Sequence, residues 1–149
     1  MMIVLSALGV GLAAGLVGTV AMTVSETLEM RATSREPSTV PGQVGTKLLG
    51  RSGDPDSPKR LNTPVHWAHG ITLGGLRGLL GLTALGPVLA TVVHYGAVWG
   101  GDALLYRSLG IAAWPWQWKR QELLADLFHK GVYAVVTSVT FELLWAAGN

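Results

Sequence analysis

The sequence contains no cysteine, and only 13% of its 149 residues are Asp, Glu, Lys or Arg. Without cysteine the chain forms no disulfide and offers no thiolate, so histidine and carboxylate are its only strong metal ligands. It also has too few charges to cover a soluble domain, since 49% of its residues are apolar and 20 are glycine. The composition therefore predicts a membrane protein.

Three long stretches lack any charged residue, namely residues 1–25, 78–101 and 131–141. A helix needs about 20 mainly apolar residues to cross the hydrocarbon, because unpaired backbone groups find no water there. The first stretch lacks the basic flank of a signal peptide, so we expect it to be retained. We predict an all-α, integral membrane four-helix bundle, forming a single domain over residues 1–149. Its spanning helices are expected near residues 3–24, 65–85, 88–106 and 124–147.

The basic residues fall in alternate predicted loops. The Pro- and Gly-rich first loop, residues 31–64, holds six of the eleven Lys and Arg residues, and the second loop holds none. Further cations accompany the Trp-rich third loop, residues 107–123, which is expected at the membrane interface. The positive-inside rule makes loops one and three cytoplasmic and both termini non-cytoplasmic. The expected interface anchors are Trp67, Trp114, Trp116 and Trp118.

Glycines recur at four-residue spacing in three of the predicted helices. Such stripes of small residues let helix backbones approach closely where lipid supplies no hydrophobic drive for association. Two interpretations stay open: packing within the chain, and self-association or docking to another membrane subunit. The stripes consist of Gly11 and Gly15 in the first helix, Gly70, Gly74 and Gly78 in the second, and Gly96 and Gly100 in the third.

Histidine and carboxylate side chains gather at the predicted cytoplasmic ends of all four helices. Several are spaced i, i+3 and so share one helix face. These groups bind iron, zinc or manganese, and an acidic residue three positions before a histidine is typical of metal sites in helical bundles. The alternative is that they lie wet among lipid headgroups. The candidate metal ligands are His66, His69, Asp126, His129, Glu26 and Asp102.

Three polar residues are predicted to lie deeper, namely Arg77, His94 and Glu142. A charge at the bilayer centre costs about 2.5 to 3.5 kcal/mol, so it needs a partner or a water-filled cavity. Because the long arginine side chain reaches along its helix, we expect an ion pair between Arg77 and Glu142. For His94, a hydrogen bond to a neighbouring backbone is one alternative, and binding of haem or a proton is the other.

The chain resembles the YagU-type bacterial inner-membrane proteins in three segments. These are the glycine-rich stretch from Gly15 to Glu26, the segment His66–Gly70, and the segment Asp126–His129, which is followed by Val132 and Glu142. The resemblance implies a multi-pass protein of the bacterial inner membrane and transfers no catalytic residue. The short Pro-rich first loop departs from the family's pattern.

The sequence favours a non-catalytic accessory or interaction subunit of a membrane assembly, because the chain is small and its loops are short. Its expected partners are the lipid bilayer and other membrane subunits or further copies of itself, and nucleic acid is not among them. Two alternatives remain. One is a metal- or haem-binding protein, with iron, zinc or haem as the candidate cofactors, and the other is a transporter or proton-handling protein. No phosphate-binding glycine loop, nucleophile elbow or zinc-protease helix occurs, which disfavours those enzyme classes.

Overall fold

The computed structural model describes residues 1–148, and every long apolar stretch in this range is helical. The described chain contains five α-helices, a single turn of 3-10 helix at Pro115–Gln117, and no β-strand, which confirms the all-α prediction for this part. The helices are α1 Met2–Thr33, α2 Val40–Leu48, α3 Ser57–Leu80, α4 Pro87–Ser108 and α5 Arg120–Gly148.

Three of these helices, α1, α4 and α5, are long and apolar enough to cross a membrane. The fourth expected span, α3, has 24 residues, or about 36 Å at 1.5 Å per residue, but it is less apolar. The reason lies in its position, because α3 contacts all four other helices. Its buried residues include Arg77 and three glycines, where a lipid-facing helix carries leucine or valine.

The helices extend further than the sequence predicts at the end where the two cationic loops lie. Within the expected loop 31–64, α1 continues to Thr33, α2 forms, and α3 begins at Ser57 and runs through Pro64. A proline inside a helix removes one backbone hydrogen bond, but contacts with α2 stabilise these turns. Gly42 N donates to Asn62 Oδ1 at 3.0 Å, and Thr46 Oγ1 donates to Ser57 Oγ at 3.0 Å. Within the expected loop 107–123, α5 already begins at Arg120.

The long helices run antiparallel in chain order and so define two ends of the molecule. We call the end that carries α2 and the Trp-rich segment the loop-rich end, and the end that carries the α3–α4 connection, residues 81–86, the hairpin end. The C-terminal part of α1 and the N-terminal part of α5 meet at the loop-rich end, where Ser25 Oγ lies 2.8 Å from His129 Nδ1.

The glycine stripes of α1 and α3 face each other inside the chain. A Cβ added at Gly15 would lie 2.8 Å from Gly74 Cα, and one at Gly11 would lie 2.9 Å from Gly78 Cα. The helix backbones are therefore in direct contact along this stripe. The stripe of α4 behaves differently, since a Cβ at Gly96 or Gly100 would meet no atom of the described chain within 4 Å.

The surface and the interior are inverted relative to a soluble protein. Large aliphatic side chains lie outside, with Leu143 68% and Val139 54% exposed, whereas Arg77 and His94 are completely buried. The buried apolar residues are mostly alanines, which suits close helix packing without a hydrophobic drive. Polar residues that face the bundle interior, with apolar residues outside, are the arrangement expected in lipid.

Candidate functional site

A cavity of about 820 Å³ lies between α1, α3, α4 and α5 and opens at the loop-rich end. We call it the central cavity. Its floor is formed by mainly apolar groups that include Leu73, Val98 and the ring of Tyr133, and its upper wall carries several ionisable side chains. Its volume is within the usual range of small-molecule pockets, and its lining combines apolar with polar and ionisable side chains.

A chain of charged side chains crosses one wall of the central cavity and joins three helices. His69 Nε2 lies 2.7 Å from Asp102 Oδ1, and Lys130 Nζ lies 2.9 Å from Asp102 Oδ2. Lys130 Nζ also lies 3.0 Å from Asp126 Oδ1. The side chains of Asp102 and Lys130 are almost completely buried. A buried charge is tolerated only when it is paired. Here the single positive charge of Lys130 faces the two negative charges of Asp102 and Asp126, so one negative charge is left over.

The helical repeat explains how these side chains meet. Buried residues occur at every fourth position of α4, namely Ala90, His94, Val98 and Asp102. The carboxylate of Asp102 therefore lies on the buried face of the helix. On α5 the residues Asp126 and Lys130 are spaced i, i+4 and therefore share a face. The phenol ring of Tyr106 lies 5.2 Å from Lys130 Nζ and covers it.

The predicted metal ligands are divided among separate partners. His66 Nε2 lies 3.1 Å from Thr23 Oγ1, and His129 Nδ1 bonds Ser25, while His69 belongs to the chain on Asp102. In the described part of the molecule no three His, Asp or Glu side chains converge as a metal site requires. Lys130 lies between Asp102 and Asp126, where a bound cation would otherwise bridge them. Hydrogen bonds and an ammonium group thus engage every member of the predicted ligand set except Glu26.

Glu26 differs from Asp102 and Asp126, the two carboxylates that Lys130 pairs in the central cavity. It lines the cavity from α1, yet no side chain or backbone group within residues 1–148 bonds its carboxylate. Its nearest cation on the connecting segment, Arg35, is held by Glu29 through Nη2 to Oε2 at 2.7 Å and Nε to Oε2 at 2.9 Å. Both nitrogens donate to one oxygen of Glu29, and this pair, with a smaller contribution from the charge of Glu26, raises the pKa of Arg35 above its ordinary value.

The predicted deeper residues form a second polar cluster toward the hairpin end. Arg77 and Glu142 form an ion pair, as the sequence predicts, and Arg77 Nε also donates to Ser138 Oγ at 3.0 Å. The guanidinium lies 4.7 Å from the ring of Phe141. Arg77 is three residues from the end of α3, and Glu142 is six residues from Gly148. The pair therefore lies closer to the helix ends than expected, which lowers the cost of holding it.

His94 forms a hydrogen bond to the backbone of a neighbouring helix, which is the first of its two predicted alternatives. Its Nε2 donates to the carbonyl oxygen of Leu73 at 3.1 Å, and its ring lies 5.7 Å from that of Tyr133. His94, Arg77 and Glu142 do not line the central cavity. In this conformation they form no path that continues from it.

The tryptophans divide between the surface and the cavity. Trp114 and Trp116 stack at 5.1 Å between ring centroids, and Trp116 is 75% exposed. Trp67 and Trp118 line the central cavity instead. Sequence reasoning missed this role, and it also missed Tyr106 and Tyr133. Their spacing on α4 and α5 offered a signal, since Tyr106 follows Asp102 and Tyr133 follows His129 by one helical turn.

No protein-family model matches this chain, and neither a curated protein nor a solved structure matches it. The resemblance to YagU-type proteins stays a prediction that these comparisons do not test. The observations that bear on function are therefore the geometry of the central cavity and the membrane character of the helices that enclose it.

Proposed function

We propose that this chain is a small multi-pass membrane protein that binds an amphiphilic molecule in the central cavity and acts as a non-catalytic binding subunit. One observation carries the proposal, namely that a cavity of about 820 Å³ joins a charged upper wall to an apolar floor between four helices. A ligand that fits must have a polar head and an apolar body.

The proposal includes a topology in which α1, α3, α4 and α5 all cross a bacterial inner membrane. Basic residues are concentrated in the segments at the loop-rich end, and the hairpin turn has none, so the positive-inside rule supports a cytoplasmic loop-rich end and non-cytoplasmic termini. The central cavity then opens at the level of the cytoplasmic headgroups. Amphiphiles concentrate at this depth, with the apolar part in hydrocarbon and the head in water.

The test is equilibrium binding of a radiolabelled alkyl maltoside to the protein in lipid nanodiscs. The proposal predicts a saturable component above the partitioning into lipid. Val98→Trp should abolish this component, because Val98 is buried and lines the cavity. Val92→Trp is the matched control, since Val92 lies on the same helix and is 59% exposed. Purely non-saturable uptake by the unaltered protein would contradict the proposal.

A second candidate function is that of an interaction subunit that associates with a second copy through α4. The observation that favours it is the unused stripe of Gly96 and Gly100, which the chain packs against nothing of its own within the described range. The α1–α3 pair shows that this chain uses such stripes for close helix contact.

The chain's lack of cysteine makes the association directly testable by cross-linking in native membranes. Ala97→Cys on the open face of α4 should give a disulfide-linked dimer. Val135→Cys, at an exposed position of α5, should remain monomeric. Monomers in both variants would refute association through α4 and leave the binding function untouched.

A further inference from the structure

We propose that the ligand of the central cavity is cationic, a lipophilic amine or quaternary ammonium ion with an apolar body. This inference rests on the proposed binding function and names the chemical class of its ligand. It is carried by three observations: the charge balance of the cavity wall, the engagement of its cations, and the aromatic rings that line the same cavity as Glu26.

The wall of the central cavity carries an excess of negative charge. Two permanent cations line it, Arg35 and Lys130, against five carboxylates. The histidines add no charge in their neutral form. The carboxylates belong to Glu26, Glu36, Asp102, Glu122 and Asp126.

Both cations are already engaged and leave no positive group free for an anionic head. Lys130 lies between Asp102 and Asp126 at 2.9 and 3.0 Å. Arg35 is paired with Glu29, whose carboxylate lies outside the central cavity. The positive charge of Arg35 is therefore compensated by a residue that does not line the cavity. An anionic head would therefore enter a wall of like charge, which is unfavourable.

Glu26 supplies the complementary position for a cationic head. Its carboxylate faces the central cavity without a hydrogen bond or ion pair from residues 1–148, whereas Glu29, one turn later on α1, is fully engaged. Coulomb attraction between opposite charges strengthens as the surroundings become less polar, so an unpaired carboxylate in a partly enclosed cavity favours a cationic guest.

Aromatic rings line the same cavity and bind cations through their faces. Trp67 comes from α3, Tyr106 from α4, and Trp118 from the segment before α5. Aromatic rings combined with a carboxylate are the arrangement that recognises quaternary ammonium groups. The floor beneath, which includes Leu73 and Val98, accepts the apolar body.

The experiment compares three probes that share one alkyl chain and differ only in the head: dodecyltrimethylammonium, dodecyl maltoside and dodecyl sulfate. Each is titrated into the protein in nanodiscs, and the saturable component is measured. We expect the ammonium probe to bind roughly tenfold more tightly than the maltoside, which corresponds to one favourable charge contact. The sulfate probe should bind more weakly than both.

Glu26→Gln should remove most of the preference for the ammonium over the maltoside probe, and its circular dichroism spectrum in nanodiscs shows whether the variant is folded. Asp56→Asn is the matched control, because it removes one negative charge from an exposed position at the same end of the molecule. Should Glu26→Gln fail to fold, Glu36→Gln, at an exposed position that also lines the cavity, provides the same comparison with a smaller expected loss.

The outcomes separate this inference from the function on which it rests. Saturable maltoside binding without preference for the ammonium over the sulfate probe would overturn the cationic ligand and retain the binding function. The same conclusion follows if the preference survives unchanged in Glu26→Gln. Failure of all three probes to bind saturably would overturn both.

Discussion

Single residues in this chain are held by partners that lie far away in sequence and close in space. Arg77 is the clearest case, because its guanidinium is completely buried and depends on Glu142 and Ser138, both on α5. Removal of Glu142 alone leaves the buried charge of Arg77 uncompensated. Removal of both charges, those of Arg77 and Glu142, does not.

Glu142→Gln should lower the free energy of unfolding in detergent by about 2 kcal/mol, less than for a fully buried pair because the Glu142 side chain is 40% exposed. The double variant Arg77→Met, Glu142→Gln should be more stable than the single one. Leu143→Ala, on the neighbouring exposed position, serves as the control. An equal or greater loss in the double variant would contradict the claim that an uncompensated buried charge causes the loss in Glu142→Gln.

Part of this site could be predicted residue by residue. Arg77 and Glu142 are the charges that the sequence predicts to lie deepest, and they have few candidate partners, so their pairing follows from the cost of burial. The grouping of His66, His69 and Asp126 at one end also follows from the topology. Their partners do not, because the sequence gives the depth of each side chain but not the rotation of each helix. That rotation directs His66 toward Thr23 and His69 toward Asp102.

At the scale of elements, the contact between α1 and α3 depends on glycine. Their backbones approach so closely that any added Cβ at Gly15 would lie within 3 Å of backbone atoms of α3. Backbone cannot move aside as a flexible side chain can, so the helices would have to separate. The four-residue spacing predicts such a contact, but it names no partner helix, and the same spacing on α4 has none inside the chain.

Gly15→Val should therefore destabilise the protein by about 3 kcal/mol, the upper range for an overpacked contact. Gly9→Val is the matched control on the same helix, since a side chain there meets nothing within 4 Å of the described residues. The free energy of unfolding measured in detergent by circular dichroism tests the difference. Similar values for the two variants would contradict the close approach of α1 and α3.

The start of α3 shows where prediction from the local sequence was wrong. Pro58 and Pro64 argue for a loop up to residue 64, yet α3 begins at Ser57. The bonds from Gly42 to Asn62 and from Thr46 to Ser57 come from α2, which lies a loop away in the sequence. Tertiary contacts of this kind override local propensity, and they are visible only after α2 and α3 are placed together.

At the scale of the whole molecule, the apolar surface and polar interior suit helices surrounded by lipid, and the proposed function depends on how the chain is oriented there. Composition alone predicted the membrane and the helices. The central cavity could not be predicted in this way, because it is the space left where four helices diverge, and the helical repeat does not specify crossing angles.

Orientation is tested with single cysteines, which the cysteine-free chain permits. Ser52→Cys lies in an exposed turn at the loop-rich end, and Thr83→Cys lies in the exposed turn at the hairpin end. In intact spheroplasts a membrane-impermeant maleimide should label Thr83→Cys, and it should label Ser52→Cys only after lysis. The reverse pattern would place the cavity mouth on the outer side of the membrane.

The most direct test of the binding function is native mass spectrometry of the protein extracted from its own membranes in detergent-free polymer nanodiscs. If the central cavity holds an amphiphile, the 15.7 kDa chain should carry one bound small molecule, and Val98→Trp should lose it while Val92→Trp keeps it. A bare chain in all three preparations, or an adduct that persists in Val98→Trp, would contradict the assignment of the cavity as a binding site.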